Sequence, residues 1–331
     1  MHTYIIAEAG VNHNGSLELA KILIDTAKEA GADCVKFQTY KTELLVTDNA
    51  PKADYQKEND KTSDSQFEML KKLELSYSDF EELYIYAKER QIDFLSTPFD
   101  MESAEFLSGL GMKMWKIPSG EITNLPLLEF IGSKKQKVVL STGMSELFEI
   151  EDAINVLRKV GCDDICLLHC TTQYPAPYES VNLIAMKKLQ DSFGTEVGYS
   201  DHTVGNEVAV AAVGMGAKIV EKHFTLDKNM DGPDHKASLE PKELKDMVTA
   251  IRHIDAALGK GEKIVQAAEA GNRLIARKSI VARCPISKGE VITEDMLIMK
   301  RPGTGISPMR LGQVVGTKAV RDFDTDELIE L

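Results

Sequence analysis

Tryptophan occurs once, aromatic residues make up 6% of the chain, and basic residues are outnumbered, 39 Lys and Arg against 52 Asp and Glu in 331 residues. The net charge of -13 spreads a negative field over most of the surface, which disfavours nucleic acid and anionic membranes as partners. An anionic small substrate then needs a locally basic pocket. Long apolar runs are missing too: nothing approaches the ~20 residues that cross a bilayer. The N-terminal MHTYIIAEAG has neither the basic start nor the apolar length of a secretory leader. Cysteine is sparse and odd in number: Cys34, Cys162, Cys166, Cys170 and Cys284, most of them in apolar, strand-like runs. Such usage suits reduced, inert thiols in a cytoplasmic protein and excludes a disulfide framework. Cys162, Cys166 and Cys170 recur every four residues, yet across a turn and a strand that spacing shares no helical face, so a zinc or cluster site is the weaker reading.

What is present is alternation. Short β-branched or apolar runs at residues 4–7, 34–37, 93–96, 114–117, 138–141, 165–169, 196–199 and 218–223 are separated by helical periodicity. Leu17, Ala20, Ile24 and Ala27 form one stripe, closed by Gly31. Leu147, Ile150, Ile154 and Leu157 form another, with Ser145 as the expected N-cap and Gly161 as the stop. Pro241 suits a first helical position ahead of Leu244, Met247, Ile251, Ile254 and Leu258. Eight βα units in about 250 residues are the arithmetic of a (β/α)8 TIM barrel. The competing open doubly wound sheet lacks its GxGxxG after the first strand. The expected division is a barrel over 1–259, a charged, Gly- and Ala-rich linker over 260–276, and a small module of short strands and turns over 277–331. Residues 42–63, long, polar and mixed in charge, read as a lid or a loosely ordered loop.

In such a barrel, chemistry sits where the strands end. A purely structural barrel would end its strands in apolar residues, but here the ends are polar. Glu8 ends the first; Lys36 and Gln38 share a face of the second; Ser96 and Thr97, then Lys116, Ser119 and Glu121, then Ser141 and Thr142 follow the next three. His169 and Thr171, Ser200 and His202, and Glu221 and His223 close the last three. Two lysines among hydroxyls form a pocket for an anion such as a phosphorylated carboxylate. His202 and His223 suit a divalent metal with open positions, Asp234 being a candidate third ligand. His13 and His235 are rim candidates of lower rank, His2 and His253 read as structural, and Trp115, alternating with Lys116, should face the helices.

The runs IAEAGVNHNG, VKFQT, STPFD, KIPSGE, LSTGM, LLHCTTQYP, GYSDHT, EKHFT and KRPGTG, in this order along nearly the whole chain, make it similar to the sialic acid synthase family. That resemblance implies a barrel followed by an antifreeze-like (SAF) domain, in a swapped homodimer whose small module covers the partner's active site. It implies condensation of phosphoenolpyruvate with an N-acetylated sugar, N-acetylmannosamine or 2,4-diacetamido-2,4,6-trideoxymannose. His202 and His223 would hold the metal, manganese with magnesium or cobalt as alternatives. Lys36, Thr97, Lys116, Ser119, Ser141 and Ser200 would hold phosphoenolpyruvate. Gln38, Glu121, Tyr174 and Asp234 would hold sugar hydroxyls, and Arg301 would reach the acetamido group from the other subunit. Glu8 would position water or the metal's shell, with Glu8 and Glu121 the candidate proton handlers and Lys116 compensating charge. Thr172 stands where neuraminate synthases of the bacterial type carry Asn, and the DGPDHKASLEP run with His235 is more similar to diacetyllegionaminate synthases. Three other readings stay open: a lysine Schiff-base aldolase using Lys36 or Lys116, a synthase acting on a sugar phosphate such as arabinose 5-phosphate, and a non-enzymatic carbohydrate-binding module.

Overall fold

Ile5, Ile6, Ala7 and Ala9, all fully buried, carry the first strand, β1 (Tyr4–Gly10), in the computed structural model, which describes residues 2–59 and 65–331. The strands that follow are β2 (Cys34–Thr39), β3 (Asp93–Pro98), β4 (Met114–Ile117), β5 (Lys137–Ser141), β6 (Ile165–His169), β7 (Glu196–Asp201) and β8 (Ile219–His223). All eight lie where periodicity placed them, in one sheet of order β3-β2-β1-β8-β7-β6-β5-β4 whose ladders are all parallel among the described residues. β3 and β4 pack side by side and complete a nearly closed barrel, though among the described residues no regular ladder joins them. Several strands outrun their apolar cores: β2 and β3 stay paired through Gln38–Thr97 and Thr39–Pro98. A ladder in a closed sheet satisfies its backbone whatever the side chain, so polar residues do not stop it.

Helices clothe the barrel. In Leu17–Ala30 the Ser16 hydroxyl accepts from the Leu19 N–H and Gly31 closes the helix at φ 87°, the left-handed conformation that glycine adopts without a Cβ clash. Pro241 does occupy the first turn of Pro241–Ala257, whose Leu244, Met247 and Ile251 are fully buried. Each such side chain contributes about 1.5–3 kcal/mol of burial. The expected cap at Ser145 is corrected: Leu147–Lys159 is capped at Glu146, whose N–H donates to the Glu149 carboxylate at 2.8 Å, while the Ser145 hydroxyl turns back to the Gly143 carbonyl. A reciprocal carboxylate one turn in satisfies the first N–H groups as well as a hydroxyl would.

After β2 the chain makes an excursion of short helices, Thr42–Leu45, Asp54–Asn59 and Gln66–Leu73, before Tyr77–Glu89. Residues 60–63 of the expected lid lie outside the described residues. Met69 and Leu73 pack with Val11 and Tyr40 in a small apolar cluster of their own.

The chain divides into units 1–259 and 260–331. In the second, β9 (Ser279–Ala282) pairs antiparallel with β10 (Leu297–Lys300), and Ile280, Ile286, Ile292, Val314 and Phe323 form a separate core. The expected linker is not plain coil: Ala267–Ala276 is helical, the Gln266 N–H donating to Glu269, and the Gly303 N–H donates to the Leu274 carbonyl at 2.7 Å. Its alanines, Leu and Glu favour helix, which outweighs the composition that suggested a linker.

Candidate active site

The register of the ladders brings charged side chains to one end of the barrel. Glu8 lies opposite Lys36 on β2 and His223 on β8, and Ser200 on β7 lies opposite Glu221. Successive residues of a strand point to opposite faces, so Lys36 and Gln38, Ser200 and His202, and Glu221 and His223 all turn inward. They line a cavity of about 330 Å³ together with Glu8, Thr97, Lys116, Ser119, Glu121, Ser141, Thr172, Tyr174 and Asp234. Every barrel residue singled out for a role is therefore gathered there. Arg301 belongs to the second unit, where its Nε donates to the Ala276 carbonyl at 3.1 Å.

Two glycines make the approach possible. A Cβ on Gly198 would collide with the Ile219 carbonyl and the Leu168 side chain, so β7 and β8 meet there only without a side chain. A Cβ on Gly143 would strike the hydroxyl of Thr172 and crowd Ser119 and Cys170; its bare N–H instead donates to Ser119 Oγ at 2.9 Å.

At the cavity floor lysines and carboxylates alternate. Lys36 Nζ lies 2.7 Å from Glu8 Oε2 and 3.7 Å from Glu221 Oε2, and donates to Thr97 Oγ1 at 3.1 Å. Lys116 Nζ donates to Ser141 Oγ at 2.7 Å and lies 3.9 Å from Glu221 Oε1, which also accepts from Ser200 Oγ at 3.0 Å. Burial alone would push Lys36 down, but the carboxylates of Glu221 and Glu8 outweigh it and hold the ammonium. Lys116, with weaker compensation, is pushed below the usual lysine range by burial. Burial likewise opposes ionisation of Glu221, yet Lys116 and Lys36 keep it charged. Glu8 is pushed up, by burial first and by Glu221, against the pull of Lys36. Glu221, noticed in the sequence as a strand end but given no role, is thus the centre of the cluster; only the fold brings both lysines to it.

The imidazoles stand beside this floor. His202 Nδ1 faces the Thr171 carbonyl at 2.7 Å, so it carries the proton and Nε2, 3.4 Å from Ser200 Oγ, carries the lone pair. Burial pushes His202 down to about 4 and His223 well below the usual range, the neighbouring positive charges adding to the latter. Both are neutral, the form that binds a metal. Their ring centroids are 5.5 Å apart, with Tyr174 against both at 4.1 and 5.5 Å. Asp234 Oδ2 is 3.8 Å from His223 Nδ1, and burial pushes its carboxyl up to about 7. Among the described residues no three His, Cys, Asp or Glu side chains converge as a metal cage, so Asp234 is not gathered with the imidazoles as a third ligand. Two neutral imidazoles therefore stand side by side there.

Several strand-end residues turn away. His169 hydrogen-bonds the Val181 carbonyl at 2.7 Å and packs on Tyr199 behind β6, while Cys170 and Thr172 take the inward side. Ser96 pairs with Thr39 at 2.6 Å and Thr142 with the Leu168 carbonyl at 3.0 Å. Neither rim histidine reaches the cavity. His13 is buried against Phe37, and His235 is held between Thr225 at 2.7 Å and Asn14 at 3.1 Å, joining the loop that carries Asp234 to the loop after β1. Trp115 is buried among the helices as expected, donating to Gln136 and edge-on to Phe130. Four thiols are buried and Cys284 is exposed. The sequence reading missed an apolar wall of Val11, Tyr40, Leu45, Leu70 and Phe99 on one side of the cavity; its only signal was the length of the excursion after β2.

The model of the NeuB family matches residues 23–263 and that of the SAF domain residues 277–330. The chain is 54% identical to an N,N'-diacetyllegionaminic acid synthase of Campylobacter jejuni, over 99% of this chain and 98% of that one. It is 50% identical to another of Legionella pneumophila, over 96% and 90%. Among solved structures, an N-acetylneuraminic acid (sialic acid) synthetase from Leptospira borgpetersenii in complex with citrate superposes with a TM-score of 0.74 at 36% identity, covering 82% of this chain and 90% of that one. With its eight-stranded barrel and separate C-terminal module, the chain belongs to the NeuB family of sialic acid synthases.

Proposed function

We propose that the chain condenses phosphoenolpyruvate with 2,4-diacetamido-2,4,6-trideoxymannose and water to give N,N'-diacetyllegionaminate and phosphate. The observation that carries this reading is the floor of the cavity: two buried lysines, Lys36 and Lys116, flanked by Thr97, Ser119, Ser141 and Ser200. A trianion of phosphate and carboxylate is matched by two ammonium groups and directed hydroxyls in a site where water screens little. Glu8 is pushed toward its protonated form by burial and by Glu221, and a bound anion would add to that push, which makes it a candidate proton handler. Glu121, also raised by burial and bonded to Asn124 at 2.6 Å, is the second candidate proton handler.

In the reaction C3 of phosphoenolpyruvate attacks the aldehyde carbon of the open-chain sugar, whose oxygen takes up a proton. Water adds at C2, and phosphate leaves to give the 2-keto acid. Lys36 and Lys116 hold the departing charge. Gln38, Thr172, Tyr174 and Asp234 are placed to meet sugar hydroxyls or amide groups. A divalent ion, manganese in our reading, would be held by His202 and His223, and when bound it supplies Lewis-acid polarisation of the aldehyde. The two neutral, buried imidazoles support that fit, as does the absence of any hydrogen-bond partner on His223 Nδ1.

The choice of sugar is supported by the relatives at 54% and 50% identity and by the apolar wall. A 6-deoxy methyl and a second acetamido methyl lie well on Leu45, Leu70 and Phe99, whereas the hydroxymethyl of N-acetylmannosamine would be desolvated there. Arg301 would act from a partner subunit in a swapped homodimer. The exposed Ile264, Val265, Leu274 and Ile275 around the 267–276 helix form apolar surface that a second copy would cover.

Phosphate release from phosphoenolpyruvate, measured with the diacetamido sugar, N-acetylmannosamine and arabinose 5-phosphate, tests the proposal. The diacetamido sugar should give the highest kcat/KM; preference for the sugar phosphate, or no phosphate release, would overturn it. The lowered Lys116 also favours, secondarily, a Schiff-base aldolase. Borohydride with pyruvate should trap no adduct if the synthase reading holds.

A further inference from the structure

Directly behind the two imidazoles lies a second charged pair that the reaction does not use. Lys222 and Asp201 are both fully buried, on the faces of β8 and β7 turned away from the cavity. Lys222 Nζ lies 2.8 Å from Asp201 Oδ2 and donates to the Thr203 carbonyl at 2.5 Å. The other oxygen of Asp201 accepts from the Thr203 N–H at 3.0 Å and its hydroxyl at 2.8 Å. Thr203 thus bonds to both members of the pair, and neither of them lines the cavity.

Its place in the ladder is what matters. Asp201 and Lys222 are register partners on the last rung between β7 and β8. Each immediately precedes one of the imidazoles, His202 and His223, so beyond this rung β7 and β8 make no further ladder bond to each other, although His223 stays paired with Glu8 on β1. Burying an ion pair costs more in desolvation than an apolar pair of the same size would, and a gain in position is the best reason to keep one. His202 is tied further, through the Thr171 carbonyl at 2.7 Å and Ser200 Oγ at 3.4 Å, while His223 Nδ1 has no hydrogen-bond partner and only Asp234 Oδ2 at 3.8 Å. The rung is thus the last ladder point that joins the two strands carrying the rings to each other.

We propose that Lys222 and Asp201 are positioning residues, an ionic clamp that sets the distance between His202 and His223 and through it the affinity for a divalent ion. The clamp rests on the reading of those histidines as metal ligands. Removing both charges together, Asp201→Asn with Lys222→Met, leaves no buried unpaired charge and keeps an acceptor for Thr203. Titration of Mn2+ into the metal-free full-length protein should then show binding weakened about 10- to 100-fold, the usual loss on removing a group that orients a ligand. Circular dichroism should stay unchanged. As a milder companion, Thr203→Val should weaken binding about two- to five-fold. Met247→Ala, a fully buried core change on the last barrel helix, should lower the unfolding midpoint and leave Mn2+ affinity as it was.

Wild-type Mn2+ affinity in both clamp variants would overturn the proposal, as would an equal loss in Met247→Ala, which would make the effect one of stability. If the double variant does not fold, Thr203→Val decides in the same way. Failure of the wild-type protein to bind Mn2+ would remove the metal reading itself, and the clamp with it, before any variant is compared.

Discussion

β7 and β8 carry buried charge on both faces, and the two faces are finished differently. On the helix side Asp201 and Lys222 sit at 2.8 Å, and Thr203 bonds to both of them. On the cavity side Glu221 is shared between Lys36 at 3.7 Å and Lys116 at 3.9 Å, distances at which an ion pair is loose. Among the described residues three buried atoms facing the cavity have no hydrogen-bond partner: Thr172 Oγ1, Glu221 Oε2 and His223 Nδ1. An unsatisfied buried polar atom costs about 1–3 kcal/mol, so folding alone would not favour such a set. The closed pair belongs to the scaffold, whereas the open ring is organised for a ligand that completes it.

Breaking the open ring should have the largest effect. Exhaustive chelation should abolish phosphate release and added manganese should restore it, and His202→Ala should lower kcat about a thousand-fold or more with the fold intact. Full activity in chelator would sink the metal assignment. Next comes Lys116→Met, which should lower kcat/KM for phosphoenolpyruvate about 100-fold or more; a near-normal value would remove Lys116 from the anion site.

Arg301→Ala should cost about 10- to 100-fold in kcat/KM for the sugar, with a smaller effect on phosphoenolpyruvate. Mixing this variant with His202→Ala should regain activity that neither shows alone, since one site of each mixed dimer would be intact; no regain would contradict action across subunits.

The smallest effect is on stability. Asp234 is pushed up to about 7 from an ordinary 3.8, so the folded protein binds this proton more tightly than the unfolded chain. Stability from this group is fully present below about 4 and falls as pH rises to about 7. Asp234→Asn should therefore stabilise the ligand-free protein by about 1–3 kcal/mol at pH 8 and by nothing at pH 4. An equal gain at both values, read from chemical denaturation, would mean that Asp234 is not held protonated.

Much of the barrel could be read in advance because its signals are local. Helix stripes such as Leu244, Met247 and Ile251, and stops such as Gly31, follow from side-chain period and from the conformational freedom of one residue. The strand-end residues could be gathered without coordinates because a parallel barrel collects its strand ends on one rim. Period-two alternation then assigned Lys36, Lys116, His202 and His223 to the interior. The same rule, applied one residue on, turns His169 and Ser96 away from the interior, opposite the inward Cys170 and Thr97.

By itself, then, the sequence determined the order of βα units, the identity of the ring residues and a closed C-terminal module with its own core, since these depend on spacing and composition. Only the tertiary structure decided that Glu221 lies between two lysines, that the excursion after β2 lends the cavity an apolar wall, and that the rung behind the histidines is an ion pair. Those are relations between residues far apart along the chain, and they exist only once the strands are in register, because register sets which side chains come within a few ångströms of each other. The two histidines of β7 and β8 belong to both accounts: their identity is written in GYSDHT and EKHFT, while their 5.5 Å separation is a property of the fold.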